Sequence, residues 1–363
     1  MAIVSWFRIK NWFLAHERHV SSFSLLAGFI IDNITLQRID LLFENLILVS
    51  YLVISGGSIA LYNLHKGGAF QSKILEKIGF LLPVAIQFAF GGLFSGFIVF
   101  YSRSASLLTS WPFLVVLVSI LITGELVRTF YTRLHYQMTV FFAALFLFLI
   151  FYVPVITARM NEWMFLLSGL LSIIFFFLFY RFLSLKIPDL VATYKKGIVM
   201  SVSLVYIVIN LFYFLNILPP IPLSLKDGGV YHSVTRTETG YVLEEEEDRF
   251  WDMFRPFAPV HIRPGQSVYA FSSVFAPTNL EIPIVHEWQY YDKEKLRWVT
   301  ANAIIFPITG GSDGGYKGYS FKNNVFPGTW RVNVSTERGQ IIGRLKFKIF
   351  HESGAVPLKT LYK

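Results

Sequence analysis

The sequence predicts an α-helical polytopic membrane domain of about seven spans, followed by an all-β, sandwich-like (Ig-like) extracytoplasmic domain. Three observations predict it. Hydrophobic residues make up 54% of the chain, phenylalanine alone occupies 37 of 363 positions, and charged residues fall to 15%, against about 25% in an average soluble domain. Long apolar runs continue to Leu218, and beyond Pro219-Pro220-Ile221-Pro222 the pattern changes to short runs of alternating apolar and polar residues. The positive charge is also uneven: residues 1–218 hold 15 Lys and Arg against 8 Asp and Glu, and the rest of the chain 17 against 15, so seven of the nine surplus cations belong to the apolar half.

Residues 1–18 read as a cytoplasmic interfacial segment. Trp6, Ile9 and Phe13 recur at helical spacing with Trp12 beside them and Arg8 and Lys10 on the flanks. That is the pattern of an amphipathic helix on the inner membrane surface; a frayed tail is the alternative, and Phe7 does not fit the stripe. Arg8, Lys10, Glu17 and Arg18 interrupt any early apolar core, so no cleavable signal peptide is expected.

Residues 19–218 read as the transmembrane domain. A spanning helix needs about 20 mostly apolar residues, because every backbone group must be satisfied inside the hydrocarbon. The runs 80–101, 107–127, 136–156, 163–183 and 197–218 meet this, as does 41–64 despite Glu44 and Asn45 in its first turn. The run 20–36 is short and carries Asp32 and Asn33, with Arg18 and Arg38 bracketing it as anchors, so seven spans are expected with six as the alternative. A cytoplasmic N-terminus puts Arg8, Lys10, Arg18, Lys66, Lys73, Lys77, Arg128, Arg133, Arg181, Lys186, Lys195 and Lys196 inside and only Arg38, Arg103 and Arg159 outside. The lysine and arginine bias of short loops therefore places the C-terminal domain outside the cytoplasm.

Residues 219–228 read as a linker, 229–352 as the β domain and 353–363 as a tail. Period-two alternation marks strands at 267–276, 282–291, 297–308, 329–335 and 341–350, with glycine-rich turns at 310–315 and 337–340. Short strands with such turns favour an antiparallel sandwich. Trp330, Val332 and Val334 share one face and are expected in the core, leaving Arg331 and Asn333 to solvent.

The motifs His286-Glu287-Trp288, Gly315-Tyr316-Lys317-Gly318-Tyr319-Ser320, Pro327-Gly328-Thr329-Trp330-Arg331-Val332 and Gly339-Gln340-Ile341-Ile342-Gly343 resemble the bacterial domain-of-unknown-function 2914 family. In that family the domain often follows a polytopic membrane region, whose opening resembles Leu26-Ala27-Gly28-Phe29 through Arg38-Ile39-Asp40-Leu41-Leu42. The resemblance implies a bacterial membrane protein of the cytoplasmic (inner) membrane and brings no activity with it.

Composition and motif spacing argue against several chemistries. The chain has no cysteine, which removes disulfides, thiolate zinc sites, Fe-S clusters and a cysteine nucleophile. Ser-x-x-Lys, His-Glu-x-x-His and nucleophile-elbow motifs are absent from the sequence. An isoelectric point near 9.5 comes from membrane loops rather than a basic stripe on a soluble face, so no nucleic-acid partner is expected. Gly310 to Gly315 lacks the Lys-Ser/Thr of a phosphate-binding loop and reads as a hairpin turn. Glu244-Glu245-Glu246-Glu247-Asp248 reads as a solvated turn or first helical turn leading to an apolar stripe of Phe250, Trp251 and Phe254. His232, His261, His286 and His351 show no pair at ligand spacing, so neither metal nor cofactor is expected. His286, Trp288 and Tyr290 alternate on one strand face, as core with a hydrogen-bonded histidine or else as an aromatic binding platform.

Two groups of candidate site residues remain. Asp32, Arg38, Asp40 and Glu44 form an intramembrane polar cluster, read as an ion-pair cap of the first helical hairpin or as a functional site. Glu125 and Arg128 lie one turn apart and suffice for a local salt bridge. Tyr316, Tyr319, Trp298 and Arg331 are the candidate binding residues of the outer domain. The expected function is non-catalytic: an envelope protein, held by its helices in the lipid bilayer, whose outer domain binds a protein partner or a glycan. A small-solute transporter or channel is the alternative, and a membrane-embedded transferase or hydrolase the third reading.

Overall fold

The computed structural model describes residues 29–30, 32, 34, 36, 42–104, 107–126, 132–220, 222–238, 240–247, 256–277, 281–309, 315–352, 354 and 356–363. The interfacial segment, Arg38, Asp40, Arg128, Phe250, Trp251, Phe254 and Gly310 to Gly314 lie outside them, as does the side chain of Glu125. The chain divides into two compact units, Met1–Tyr101 with Pro112–Ile156 and Asn161–Phe214, and Ser102–Trp111 with Thr157–Met160 and Leu215–Lys363.

Described residues from Leu42 to Phe214 form seven helices: α1 (Leu42–Lys66), α2 (Lys73–Ile78), α3 (Leu82–Ser104), α4 (Leu107–Leu126), α5 (Leu134–Thr157), α6 (Glu162–Lys186) and α7 (Pro188–Phe214). Among the described residues, five helical segments are long and apolar enough to cross a membrane: Phe43–Lys66, Gly79–Ser104, Leu134–Thr157, Glu162–Lys186 and Pro188–Phe214. Thr109–Thr123 is a shorter apolar helix. The helix ends follow local rules. Asn161 caps α6, its side chain accepting from the Met164 amide at 3.0 Å, with Glu162 in the first turn and Lys186 in the last. Pro188 opens α7 directly after Ile187, at a position where a missing N–H costs nothing.

Between helices, small residues allow close approach and polar side chains find partners, as membrane packing requires. A Cβ on Gly92 would stand 2.5 Å from the Tyr51 ring, so glycine there lets α1 and α3 meet. Asn63 donates to Gln137 at 2.6 Å, Ser168 to the Leu149 carbonyl at 2.9 Å, and Ser201 is bonded to both His135 and Thr139.

From Ser224 onward the described residues are all β. The strands are β1 (Ser224–Tyr231), β2 (Ser233–Arg236), β3 (Tyr241–Glu246), β4 (Ala258–Ile262), β5 (Val268–Phe275), β6 (Glu281–Asp292), β7 (Arg297–Thr309), β8 (Tyr316–Lys322), β9 (Gly328–Thr336), β10 (Ile341–His351) and β11 (Leu358–Tyr362). They form three sheets, β1-β5-β8, β4-β10-β9-β6-β7 and β11-β3-β2; only the β4–β10 pair is parallel. The main core holds Val268, Ala270 and Val274 from the first sheet and Trp288, Trp330, Val332, Val334, Phe347 and Ile349 from the second. Alternation produces this: each strand gives every second side chain to the core. A smaller cluster joins Phe271 and Tyr231 to Val234 and Leu243 of the third sheet.

Three stretches differ from the sequence expectation. β1 begins inside the expected linker, β11 forms within the expected tail, and Glu244, Glu245 and Glu246 lie in β3 rather than in a turn. Gly228-Gly229 and a glutamate run have poor strand propensity, and long-range pairing overrides it. β1 is held by β5, and β3 by both β2 and β11, with Lys359 on Glu245 at 2.9 Å and Ser233 donating to Glu244 at 2.8 Å. The chain before β1 is fixed too. Asn216 adopts a left-handed φ of 56°, and its side chain donates to the Arg338 carbonyl at 3.0 Å.

Candidate functional site

The inward turn of Trp330, Val332 and Val334 forces Arg331 and Asn333 onto the opposite face of the five-stranded sheet. Register then decides their neighbours. Arg331 stands opposite Lys346 on β10 and Gln289 on β6; Asn333 stands opposite Arg344 and Glu287. A bulge between Trp288 and Gln289 shifts the β6–β7 register and sets Gln289 opposite Thr300, with Tyr291 opposite Trp298. Bulges often re-aim side chains in this way.

A closed hydrogen-bond network results. The Arg331 guanidinium lies over the Trp298 ring at 4.1 Å, and its Nε donates to Gln289 Oε1 at 2.7 Å. Asn333 Nδ2 donates to the same oxygen at 3.2 Å and to Glu287 Oε2 at 2.9 Å. Thr300 donates to Glu287 Oε1 at 2.7 Å and accepts from Gln289 Nε2 at 3.1 Å. Arg344 Nε donates to Asn333 Oδ1 at 2.9 Å. Every side chain is thus pinned by at least one other. Asn333, expected in solvent, is only 4% exposed, because it is the junction of this network between two arginines.

The electrostatics follow from the same contacts. Burial raises the Glu287 carboxyl, but hydrogen bonds from Asn333, Thr300 and Gln289 and the nearby Arg331 charge outweigh it and hold the carboxyl below its usual range. Burial, with the Arg344 charge adding to it and Glu287 opposing, pushes Arg331 down to about 10. Arg344 is lowered by burial, with Glu287 opposing. The result is a hydrogen-bonded face on which two guanidinium groups and the oxygens of Glu287 and Gln289 lie side by side.

The four expected binding residues separate into two groups. Trp298 and Arg331 touch, whereas Tyr316 and Tyr319 lie on β8 of the β1-β5-β8 sheet, 37% and 36% exposed. Tyr319 is flanked by Tyr241 at 6.1 Å and Tyr269 at 6.3 Å between ring centroids. In the helical unit Asp32 and Glu44 are buried, while Arg38 and Asp40 fall outside the described residues. Glu287, Gln289, Thr300, Arg344 and Lys346 complete the Arg331 face without having been singled out. For Arg344 and Lys346 the sequence carries the signal: they alternate with Leu345 and Phe347 in the strand expected over 341–350.

The histidines are resolved in two ways. His286, Trp288 and Tyr290 face inward, so the aromatic-platform alternative is overturned: His286 and Trp288 have no exposure and pack in the core. His286 Nε2 meets Ser272 at 2.8 Å and Nδ1 meets Ser320 at 2.8 Å, while Trp288 Nε1 donates to the same Ser320 at 3.0 Å. Burial pushes this imidazole down to about 3. His232 and His261, unpaired in sequence, meet on the Glu246 carboxylate at 3.0 and 2.7 Å. Burial raises that carboxyl, yet the bonds from His232 and from the backbone and ring of His261 hold it below its usual range. Among the described residues, no group of three or more His, Asp or Glu is placed to hold a metal ion.

No curated protein matches the chain. Among solved structures, the Pseudomonas fluorescens alkylpurine DNA glycosylase AlkC bound to DNA containing an abasic site analog is similar at 12% identity, over 86% of this chain and 99% of that one. Its TM-score is 0.21, a level that carries no argument about fold or activity. Residues 282–349, the segment from β6 to β10 that builds the arginine face, match the family described as "Protein of unknown function (DUF2914)", the family that the sequence motifs resemble.

Proposed function

We propose that the protein is a bacterial inner-membrane protein of seven spans, with a cytoplasmic N-terminus, whose outer β domain is a non-catalytic module that binds a protein partner or a glycan through the Arg331 face. The single observation that carries this reading is the placement of the Arg331 guanidinium over Trp298 with its Nε held by Gln289. Arginine and tryptophan are the residue types that dominate binding energy, and a pinned side chain loses little entropy on binding. Tyr316 and Tyr319 are the weaker candidates, because Tyr319 already packs between two other rings.

The twelve-to-three distribution of loop cations supports the orientation. An Ig-like reading of the domain is supported by strand order. β1-β5-β8 and β4-β10-β9-β6-β7 correspond to an A-B-E sheet facing an A′-G-F-C-C′ sheet, and Trp288 is a buried tryptophan on the strand that corresponds to C.

Because the native chain lacks cysteine, Ser72→Cys and Glu294→Cys report sidedness cleanly. An impermeant thiol reagent should label position 294 in cells whose inner membrane is intact and position 72 only after it is opened; the reverse pattern overturns the orientation. Binding is tested with Trp298→Ala and Arg331→Ala combined in the full chain, reading crosslinked partners and retained envelope glycan. Loss of about 2 kcal/mol, roughly thirtyfold, is expected for a central pair of this kind. Unchanged capture by a double variant that unfolds at the wild-type midpoint discards the face, and turnover of an envelope substrate overturns the non-catalytic reading.

A further inference from the structure

Around Arg331, the outward face of the β10-β9-β6-β7 strands brings together four cations, Arg331, Arg344, Lys346 and Lys348, with the Glu287 carboxylate in their network. Lys346 stands directly opposite Arg331, and Arg344 is near enough for its charge to act on Arg331. Like charges facing each other across strands are destabilising, so folding alone does not account for the cluster. Among the described residues, the hydrogen bonds of Arg331 and Arg344 run through Nε, to Gln289 and Asn333, which leaves the forked terminal nitrogens of both for a ligand. Such forks recognise planar carboxylates bidentately. Arg344, Lys346 and Lys348 recur at every second residue of β10, about 7 Å apart, a linear array suited to an extended polyanion.

Glu287 narrows the choice of anion. A carboxylate among cations weakens attraction for any pure polyanion, yet the network keeps it ionised and partly exposed. Its oxygens accept bonds from Thr300, Asn333 and Gln289, and a carboxylate has about four acceptor sites. The remaining capacity suits hydroxyl donors. A sugar acid places hydroxyls beside its carboxylate, whereas an acidic peptide or a phosphate does not supply one beside each charge.

Resting on the binding reading above, we propose that this face is a receptor for an acidic polysaccharide, the carboxylate of one sugar ring lying between the terminal nitrogens of Arg331 and Arg344 while a hydroxyl of the chain donates to Glu287. The full chain in lipid nanodiscs is titrated with oligogalacturonate, its methyl ester, oligoglutamate of equal charge, and inorganic phosphate. Oligogalacturonate should bind saturably and more weakly as salt rises, and better than the other three probes. Arg331→Gln with Arg344→Gln should weaken it roughly tenfold or more, with Arg331→Lys falling between, and Glu287→Gln should reduce the preference for oligogalacturonate over oligoglutamate. Equal binding of oligoglutamate or phosphate, indifference to methyl esterification, or an unchanged affinity in the folded double arginine variant each overturns the proposal. Should no probe bind while partner capture is still lost in the Trp298→Ala, Arg331→Ala chain, the acidic sugar is discarded and the binding face stands.

Discussion

Trp288→Ala should destabilise the outer domain by about 3–5 kcal/mol, the range for emptying a fully buried large aromatic site. Trp288 has no solvent exposure, meets Phe347 edge-on with ring centroids 6.0 Å apart, and donates from Nε1 to Ser320. It stands in β6 between two neighbouring strands, so collapse around the void would require the β6–β7 and β6–β9 ladders to shift together. The cost is therefore expected near the upper part of the range. Trp288→Phe, which keeps most of the volume and loses the Ser320 bond, should cost about 1–2 kcal/mol. Denaturant unfolding of the full chain in detergent, followed by the β circular-dichroism signal, measures both. An alanine variant with an unchanged midpoint would show that this tryptophan is not where the core is closed.

The parts of the fold that were legible in the sequence are those in which local pattern and tertiary role agree. β5, β6, β7, β9 and β10 lie within one residue of their expected limits at each end, because their alternation reflects one buried face along the whole strand. The long apolar helices were legible for the same kind of reason, since length and composition alone satisfy the backbone. β1, β3 and β11 were not, because Gly228-Gly229, Glu244 to Glu246 and the short Leu358–Tyr362 run carry no alternation strong enough to mark them; their partners lie far along the chain. The candidate site was half-legible. Arg331 could be assigned to the outer face from the parity of Trp330 and Val332, and Trp298 from its place at the start of a strand. Their meeting, and the presence of Glu287, Gln289 and Arg344 beside them, depends on strand order and on the bulge after Trp288, neither of which has a signature in residue types. His232 and His261 were unreadable as neighbours for the same reason: Glu246 brings them together across sheets.

His286 should make the stability of the outer domain fall as the solution is acidified from neutrality. In the unfolded chain its imidazole has the ordinary value near 6.5 and takes up a proton below it; in the folded domain burial keeps it neutral down to about 3. Between those values the unfolded state binds more protons, so stability decreases with falling pH by up to about 1.4 kcal/mol per unit, and the loss levels off only near the folded value. The environment explains why no proton is accepted. Both ring nitrogens are already bonded to serine hydroxyls, Phe306 lies edge-on at 4.8 Å, and the Ser320 hydroxyl is shared with the Trp288 N–H. Glu246 and Glu287 act in the same direction, since both are held below the usual carboxylate range in the folded state, but their contribution is lost only at the lower pH where carboxylates protonate. The window from about 6.5 to 5 therefore lies above the range in which those carboxylates protonate. Unfolding midpoints of the full chain in detergent, measured at half-unit steps across that window, should slope in the wild type and flatten in His286→Asn, which also begins from a lower midpoint at neutral pH because the shape of the core is lost. A wild-type domain whose midpoint stays level from pH 6.5 to 5 would mean that His286 is reached by protons in the folded state, and the buried Ser272–His286–Ser320 arrangement would have to be abandoned.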